Sequence, residues 1–219
     1  LRRQRQMCIR DSNYAGICLT VDLDAYGRRE RDLAKRYRTT SRQSASGFEY
    51  QMRFSWKDID RIKSYCDLPI IIKGIATKED ALLAIKHGVE IIYVSNHGGR
   101  QLDFGVGGLN VLPEIIEVVE NKAKVIFDGG IMRGTDVLKA IALGADCVGI
   151  GRLQGFAAAA GGSKAIFRML ELLETEILTG LRLLGLNSLS ELDHTYLSKD
   201  YAFDSKNVLS AFPLIDEGY

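Results

Sequence analysis

The sequence predicts an α/β protein in which parallel strands alternate with helices. Five apolar runs have the length of buried strands, and most of the segments between them have helical spacing. Each run ends in glycine or polar residues, and the ends of parallel strands meet at one edge of a sheet. A (β/α) barrel and an open doubly wound sheet both predict this clustering, although five strands are too few to close an eight-stranded barrel.

The composition indicates a globular chain whose partners are small molecules or other protein chains. Of the 219 residues, 46% are hydrophobic and 26% are charged, which suffices for one large core. The 29 basic and 28 acidic residues nearly cancel, so no overall field favours nucleic acid. The four cysteines form no C-x-x-C pair, which argues against a metal site or a disulfide framework and fits the cytoplasm, with a peripheral position at the inner membrane as the alternative.

The N-terminal part is expected to contain one strand and one long loop. Residues 1–13 lack periodicity and are interpreted as a non-native or disordered leader. Residues 15–22 form an apolar run that exposes Thr20 and Asp22 at its end. Residues 23–54 are charged and rich in Ser and Thr, which predicts a loop, at most a short helix near 31–37, and a length suited to a lid.

Strand and helix patterns alternate regularly from residue 55 onward. Thr77 as N-cap and Gly88 as terminator bound the clearest helix. The run 155–162, rich in Ala and Gly, is interpreted as a turn into the last helix. The barrel domain is expected to span 14–200, followed by a tail over 201–219. The predicted helices are 56–65, 77–87, 111–121, 134–143 and 163–184, and the further predicted strands are 68–73, 90–95, 124–128 and 147–151.

Four titratable or charged residues collect at the predicted edge. His97 can exchange a proton near neutral pH, and Arg100 offers a planar fork that matches a carboxylate, which suggests a site for an organic acid. Lys73 ends an apolar strand, where its ammonium either meets an anion or extends to solvent. Asp22 alone could cap a turn, and an isolated histidine is more often structural. Their convergence on one edge favours function.

Two glycine turns on successive strands predict a phosphate site. Residues 128–134 (Asp-Gly-Gly-Ile-Met-Arg-Gly) leave a strand and open a helix, so backbone amides and a helix N-terminus face one point. Residues 149–152 (Gly-Ile-Gly-Arg) follow the next strand. One such turn is weak evidence because many tight turns use glycine, but two match the phosphate site often formed after strands 7 and 8 of a barrel.

These residues resemble the FMN-dependent α-hydroxy acid oxidases and dehydrogenases, a family with a (β/α)8 barrel that includes glycolate oxidase, lactate oxidase and the flavin domain of flavocytochrome b2. The resemblance covers roughly residues 14–200. It is carried by the motifs Leu-Thr-Val-Asp at 19–22, Gly-Arg-Arg-Glu at 27–30, Ile-Lys-Gly at 72–74, Ser-Asn-His-Gly-Gly-Arg-Gln-Leu-Asp at 95–103, Asp-Gly-Gly at 128–130, Arg-Gly-Thr-Asp at 133–136 and Ile-Gly-Arg at 150–152.

The resemblance implies a role for each matching residue in the FMN-dependent oxidation of a small L-2-hydroxy acid to the 2-oxo acid. It makes His97 the base, Asp22 the carboxylate that orients it, and Lys73 the cation beside the flavin N1 and O2. Arg100 and Arg29 would bind the substrate carboxylate. The implied FMN contacts are Thr20, Lys73 and Ser95 at the ring, and Asp128, Gly129, Gly130, Ile131, Met132, Arg133, Gly151 and Arg152 toward the phosphate.

Two departures from the family pattern affect these expectations. Met132 stands where the family usually has an arginine, so that charge is missing or is supplied by Arg133. Family members also carry about three more strands before residue 14. The chain therefore resembles the last five βα units of a barrel, and we expect the 219 residues alone to bind FMN poorly and to lack activity, whereas the full-length protein would be an enzyme and a homo-oligomer, expected to be a tetramer.

Other functions stay open from the sequence. Barrels similar to inosine monophosphate dehydrogenase or isopentenyl diphosphate isomerase share the glycine turns but lack the Ser-Asn-His-Gly-x-Arg pattern. A non-catalytic binding module is a third alternative. Oxygen, a quinone and a cytochrome all stay open as the electron acceptor.

Overall fold

The computed structural model describes residues 13–23, 34–36, 52–102 and 104–198. Several predicted features lie outside these residues. They are Arg29, the predicted tail, nearly all of the predicted leader, and most of the predicted lid and short helix. The chain divides after Gly129 into two compact units, which are described separately.

All five predicted strands and all five predicted main helices are present. In chain order they are β1 (Ile17–Thr20), α1 (Trp56–Lys63), β2 (Ile70–Ile75), α2 (Lys78–Lys86), β3 (Ile91–Val94), α3 (Gly108–Val119), β4 (Lys124–Asp128), α4 (Gly134–Ala142), β5 (Cys147–Gly149) and α5 (Arg152–Leu183), followed by 3-10 turns at Leu189–Glu191 and His194–Tyr196.

Helix α2 begins and ends as its sequence predicts. The Thr77 side chain accepts a hydrogen bond from the backbone N–H of Asp80. Acidic residues occupy the first turn, where their negative charge interacts favourably with the helix dipole. The helix ends at His87, and Gly88 follows with a φ of +67°. A left-handed glycine after the last turn is a common helix terminator.

The first unit is built on four parallel strands, β1 to β4, paired in sequence order. Their side chains alternate between two faces. One face is buried along β2 to β4 and includes Ile72, Ile92 and Phe127, each no more than 1% exposed, with α2 and α3 packed against the sheet. The opposite face is partly exposed. Thr20, Lys73 and Tyr93 lie in one row on that face, because the register pairs Thr20 with Lys73 and Lys73 with Tyr93.

The second unit is organised by the packing of α4 against α5. Two glycines permit the close approach. A Cβ at Gly134 would lie 2.5 Å from Cβ of Glu176 on α5, and a Cβ at Gly180 would collide with Leu138 on α4. Beside this crossing lies a small core formed by Leu138, Ala142, Leu181, Leu186 and Leu192.

The predicted turn at 155–162 is wrong for residues 155–160, which are helical, and the non-helical backbone is confined to Gly161 and Gly162. Alanine has the highest helix propensity, so the four consecutive alanines favour helix over turn. The backbone departs from helical geometry at Gly161 and Gly162, the latter with a φ of +59°. The glycines therefore separate two helical segments of α5, and the second segment begins after Gly162, as the predicted helix over 163–184 requires.

In the part of the chain that the structure describes, no helix is long and apolar enough to cross a bilayer.

Candidate active site

A histidine–aspartate pair lies at the carboxyl edge of the first unit. His97 Nδ1 is 3.1 Å from Asp22 Oδ1 and 3.3 Å from Oδ2. Both side chains are mostly buried, at 23% and 14% exposure. An ionised carboxylate can only accept hydrogen bonds, so Nδ1 carries the proton and the lone pair of neutral His97 lies on Nε2. The pair can therefore receive a proton at Nε2.

The backbone at His97 adopts a strained, left-handed conformation. His97 has a φ of +56°, a left-handed conformation that non-glycine residues rarely adopt. Its N–H donates to Ser95 Oγ at 3.1 Å, directly after β3 has ended. Asn96 stabilises the following turn, since its Oδ1 accepts from Gly99 N–H at 3.1 Å and its Nδ2 donates to Val106 O at 3.3 Å. Such conformations persist where the surroundings determine them, and they are frequent at functional sites.

The Lys73 ammonium is held at the sheet edge by three groups and does not simply extend into solvent. Its Nζ donates to Ser95 Oγ at 2.9 Å, lies 3.2 Å from Asp128 Oδ2, and sits 5.1 Å from the ring centre of Tyr93. The side chains of Lys73 and Asp128 are 19% and 18% exposed. Because these three groups hold the ammonium, Lys73 places a positive charge at a fixed position at the edge of the sheet.

Ser95 links the lysine to the histidine. Its hydroxyl oxygen accepts from both Lys73 Nζ and His97 N–H, and the residue is only 1% exposed. Hydrogen bonds and ion pairs within one unit therefore connect the predicted residues Asp22, Lys73, Ser95, His97 and Asp128. Thr20, exposed and in register with Lys73, lies on the adjacent strand, and Arg100 lies exposed in the loop that carries His97.

One carboxylate oxygen of Asp128 is available to accept a hydrogen bond from a ligand. While Oδ2 pairs with Lys73, Oδ1 is buried and has no hydrogen-bond partner among the described residues. A buried, unsatisfied acceptor is costly unless a further donor reaches it. The hydroxyls of a ribityl chain are such donors, so this atom fits the polyol of FMN.

The start of α4 fits a phosphate less well than the sequence predicts. Met132 N–H and Arg133 N–H both donate to Asp136 Oδ2, at 3.1 and 3.0 Å, and Gly134 N–H donates to Glu176 Oε2 at 2.6 Å. These three amides already have carboxylate partners in their own unit. A phosphate ligand would have to replace them.

Arg133 is also engaged within the second unit. Its Nε and Nη2 lie 2.7 and 2.6 Å from Glu176 Oε1. This hydrogen-bonded ion pair lowers the pKa of Glu176 and raises that of Arg133. Gly151 and Arg152, at the start of α5, are exposed, and a Cβ at Gly151 would meet no described atom within 4 Å. The phosphate roles of these residues stay predictions.

Cys18 lies on the same face of the sheet as Lys73 but is not an activated nucleophile. Burial raises the pKa of its thiol, and the nearby charge of Lys73 only partly opposes that effect. The thiol is thus protonated at neutral pH, and thiolate chemistry does not compete with the histidine.

Three further residues contribute to the site although the sequence assigned them no role. Gln101 Nε2 donates to the backbone carbonyl of Asp22 at 3.0 Å. Tyr93 supplies the ring beneath Lys73. Gly74 adjoins Asp22 so closely that a Cβ there would lie 2.8 Å from the Asp22 Cβ. The sequence signal for Gln101 is its position inside the His97 motif, and that for Tyr93 is its place in the strand before the motif. The role of Gly74 depends on a bulge that no local pattern predicts.

Fold and site together define a class: an α/β protein of the parallel-barrel type, with a histidine–aspartate pair and a mostly buried lysine at the carboxyl ends of consecutive strands. A family model, FMN-dependent dehydrogenase, matches residues 7–199. The chain belongs to this family. The predicted fold class and the predicted resemblance are thereby confirmed, and the barrel of the family is only partly covered by this chain.

Relatives and solved structures agree with this assignment. The chain is 36% identical over 223 residues to glycolate oxidase 3 of Arabidopsis thaliana, covering 92% of this chain and 60% of that protein. It is 40% identical over 197 residues to the L-lactate dehydrogenase (cytochrome) of Wickerhamomyces anomalus, covering 81% of this chain and 34% of that protein. A crystal structure of mandelate oxidase superposes with a TM-score of 0.77 at 36% identity, covering 87% of this chain and 59% of that one.

The chain thus spans about three fifths or less of the length of these relatives.

Proposed function

We propose that the protein to which this chain belongs oxidises a small 2-hydroxy acid to the corresponding 2-oxo acid with FMN as cofactor. The observation that carries this proposal is the connected set of His97, Asp22, Ser95, Lys73 and Asp128 at one edge of the first unit. Glycolate, lactate and mandelate, which appear in the names of the relatives, are all 2-hydroxy acids.

Removal of two electrons and two protons converts the hydroxy acid into the oxo acid. Bound FMN would supply the electron acceptor for this oxidation. His97 Nε2 would take up a proton from the substrate, and the Asp22 carboxylate, 3.1 Å from Nδ1, would stabilise the resulting imidazolium. Arg100, three residues beyond His97, would bind the substrate carboxylate through its planar fork.

The lysine network would serve the cofactor. The fixed ammonium of Lys73 would favour negative charge on a flavin placed beside it, and the free acceptor Asp128 Oδ1 would take a hydroxyl of the ribityl chain. Thr20 would contribute a hydroxyl on the neighbouring strand. Among the described residues, no cluster of three or more His, Cys, Asp or Glu could hold a metal ion.

Anaerobic flavin reduction tests the proposal directly. The protein from the complete gene, loaded with FMN, is mixed with glycolate, L-lactate or mandelate, and the flavin absorbance near 450 nm is followed. We expect at least one acid to bleach it. His97→Gln should abolish bleaching with FMN still bound, whereas His87→Gln, which alters a mostly buried histidine paired with Asp60 outside the candidate site, should not. A flavin that no 2-hydroxy acid reduces would contradict the proposal.

A further inference from the structure

Asp22 lies just beyond the point where the sheet stops fixing the backbone. The register pairs of β1 with β2 end at Thr20 and Lys73, and one more backbone bond follows, from Val21 N–H to Lys73 O at 2.9 Å. Asp22 is the next residue. The direction of its carboxylate therefore depends on contacts other than the strand ladder.

Gly74 limits where Asp22 can lie. It has a φ of +111°, and the register of β2 with β3 shifts between Lys73 and Ile75, so the strand bulges at this glycine. A Cβ at Gly74 would lie 2.8 Å from both Cβ and Cγ of Asp22 and 3.0 Å from its N. The bulged backbone thus supports the Asp22 side chain from one side, but it forms no hydrogen bond that would set the rotation of the peptide.

Gln101 supplies a hydrogen bond on the main chain. Its Nε2 donates to Asp22 O at 3.0 Å, across 79 residues of sequence, in a partly buried position. Gln101 lies four residues beyond His97 in the same loop. That loop therefore holds Asp22 at two points, its carboxylate through His97 Nδ1 and its carbonyl through the Gln101 amide.

We propose that Gln101 is a positioning residue for the His97–Asp22 pair. By fixing the Asp22 peptide, it keeps the carboxylate aligned with Nδ1–H, which holds the imidazole in the tautomer whose Nε2 is the base. The proposal rests on the proposed function for its catalytic consequence, but the tautomer itself is a property of the protein alone. Misalignment of a catalytic pair by about 1 Å can cost about 100-fold in rate, and loss of this single hydrogen bond is expected to cost less.

The test compares Gln101→Met, which keeps the unbranched shape and removes the donor, with Gln154→Met at an exposed position of α5. Ring ¹⁵N chemical shifts of His97, assigned with His97→Gln, report the tautomer of the neutral imidazole without any turnover. We expect the parent and Gln154→Met to hold Nδ1–H, and Gln101→Met to show a mixture of both tautomers. In steady-state assays, kcat of Gln101→Met should fall about tenfold, since base alignment is partly lost, with KM within about twofold.

Gln101→Leu serves as a second variant without the donor, and circular dichroism checks the fold of each. An unchanged tautomer in either folded variant overturns the proposal, as does a lower kcat with the parent tautomer. Loss of folding in both variants also overturns it, because Gln101 would then support the fold and not the pair. If the protein oxidises no hydroxy acid, the ¹⁵N result still decides the positioning role, so the two failures are distinguishable.

Discussion

His97 Nδ1 lies 3.1 Å from Asp22 Oδ1, although 75 residues separate the two in sequence. The contact joins the loop after β3 to the chain just beyond β1, and it involves two side chains that are mostly buried. A histidine in this arrangement has one nitrogen committed to the carboxylate and the other available to a substrate.

Replacement of Asp22 by asparagine should slow the reaction strongly. The amide keeps the size of the side chain but removes the negative charge that stabilises the imidazolium, so kcat is expected to fall about 10²- to 10⁴-fold, with a small change in KM. Steady-state kinetics with the hydroxy acid that bleaches the flavin would measure it.

The structure provides a matched control in a second histidine–aspartate pair. His87 Nδ1 lies 2.6 Å from Asp60 Oδ1, and the His87 ring stacks on Trp56 with 5.4 Å between ring centres. Asp60→Asn changes the same chemistry away from the candidate site. Equal losses in the two variants would show that Asp22 matters for general stability and not for the base.

Lys73 and Asp128 should be strongly coupled in stability. Lys73→Met leaves a mostly buried carboxylate without its cation, which is expected to lower the free energy of unfolding by about 2 kcal/mol, below the full cost of a deeply buried pair because about a fifth of each side chain is exposed. Adding Asp128→Asn should recover much of that loss. Urea unfolding of the parent, both single variants and the double variant forms a double-mutant cycle that measures the interaction free energy of the pair.

The corresponding surface pair should behave differently. Lys122→Met removes the partner of Glu120, and both side chains are more than half exposed, so the unfolding midpoint should not move. Strict additivity of Lys73→Met and Asp128→Asn would refute the coupling.

The second unit should lose stability at acid pH through Glu176. The hydrogen bonds and charge of Arg133 lower the pKa of this carboxyl from its ordinary value of 4.5, so the folded state binds the proton less readily than the unfolded state. The stabilisation is therefore complete well above pH 4.5 and is lost as the pH falls through the lowered pKa. Glu176→Gln should be less stable than the parent at pH 7, and this difference should shrink toward pH 3.

Urea midpoints between pH 3 and 7 measure this effect, with Glu174→Gln on an exposed position of the same helix as the control. The prediction fails if Glu176→Gln and the parent differ by the same amount at both ends of that range.

The strands and most helices were predictable because their signals are local. Apolar runs that end in polar residues predicted β2 and β4 to within about two residues, and Thr77 with Gly88 bounded α2 correctly. The helical segment of α5 before Gly161 was not predicted, because glycines on both sides of an alanine run suggested a turn, while helix propensity decided the outcome.

The candidate site was predictable only where side-chain chemistry was the signal. His97, Lys73 and Asp22 stood out because charged groups at strand ends require an explanation. The sequence did not reveal that the amides at the start of α4 are already hydrogen-bonded. The carboxylate that accepts from Gly134 N–H belongs to Glu176, 42 residues away. The contacts of Gln101 and Gly74 with Asp22 were not predicted for the same reason, since a loop and a bulge create them.

The Ser95 hydroxyl can only donate, and not accept, a further hydrogen bond. Both of its acceptor positions are taken, one by Lys73 Nζ and one by His97 N–H, so only its hydrogen remains to be given away. A ligand group that meets Ser95 must then bring a lone pair, as a carbonyl oxygen or an unprotonated ring nitrogen does, and an N–H group there would be repelled. Under the proposed function, this one nearly inaccessible hydroxyl would select which edge of the flavin ring can face the strand ends.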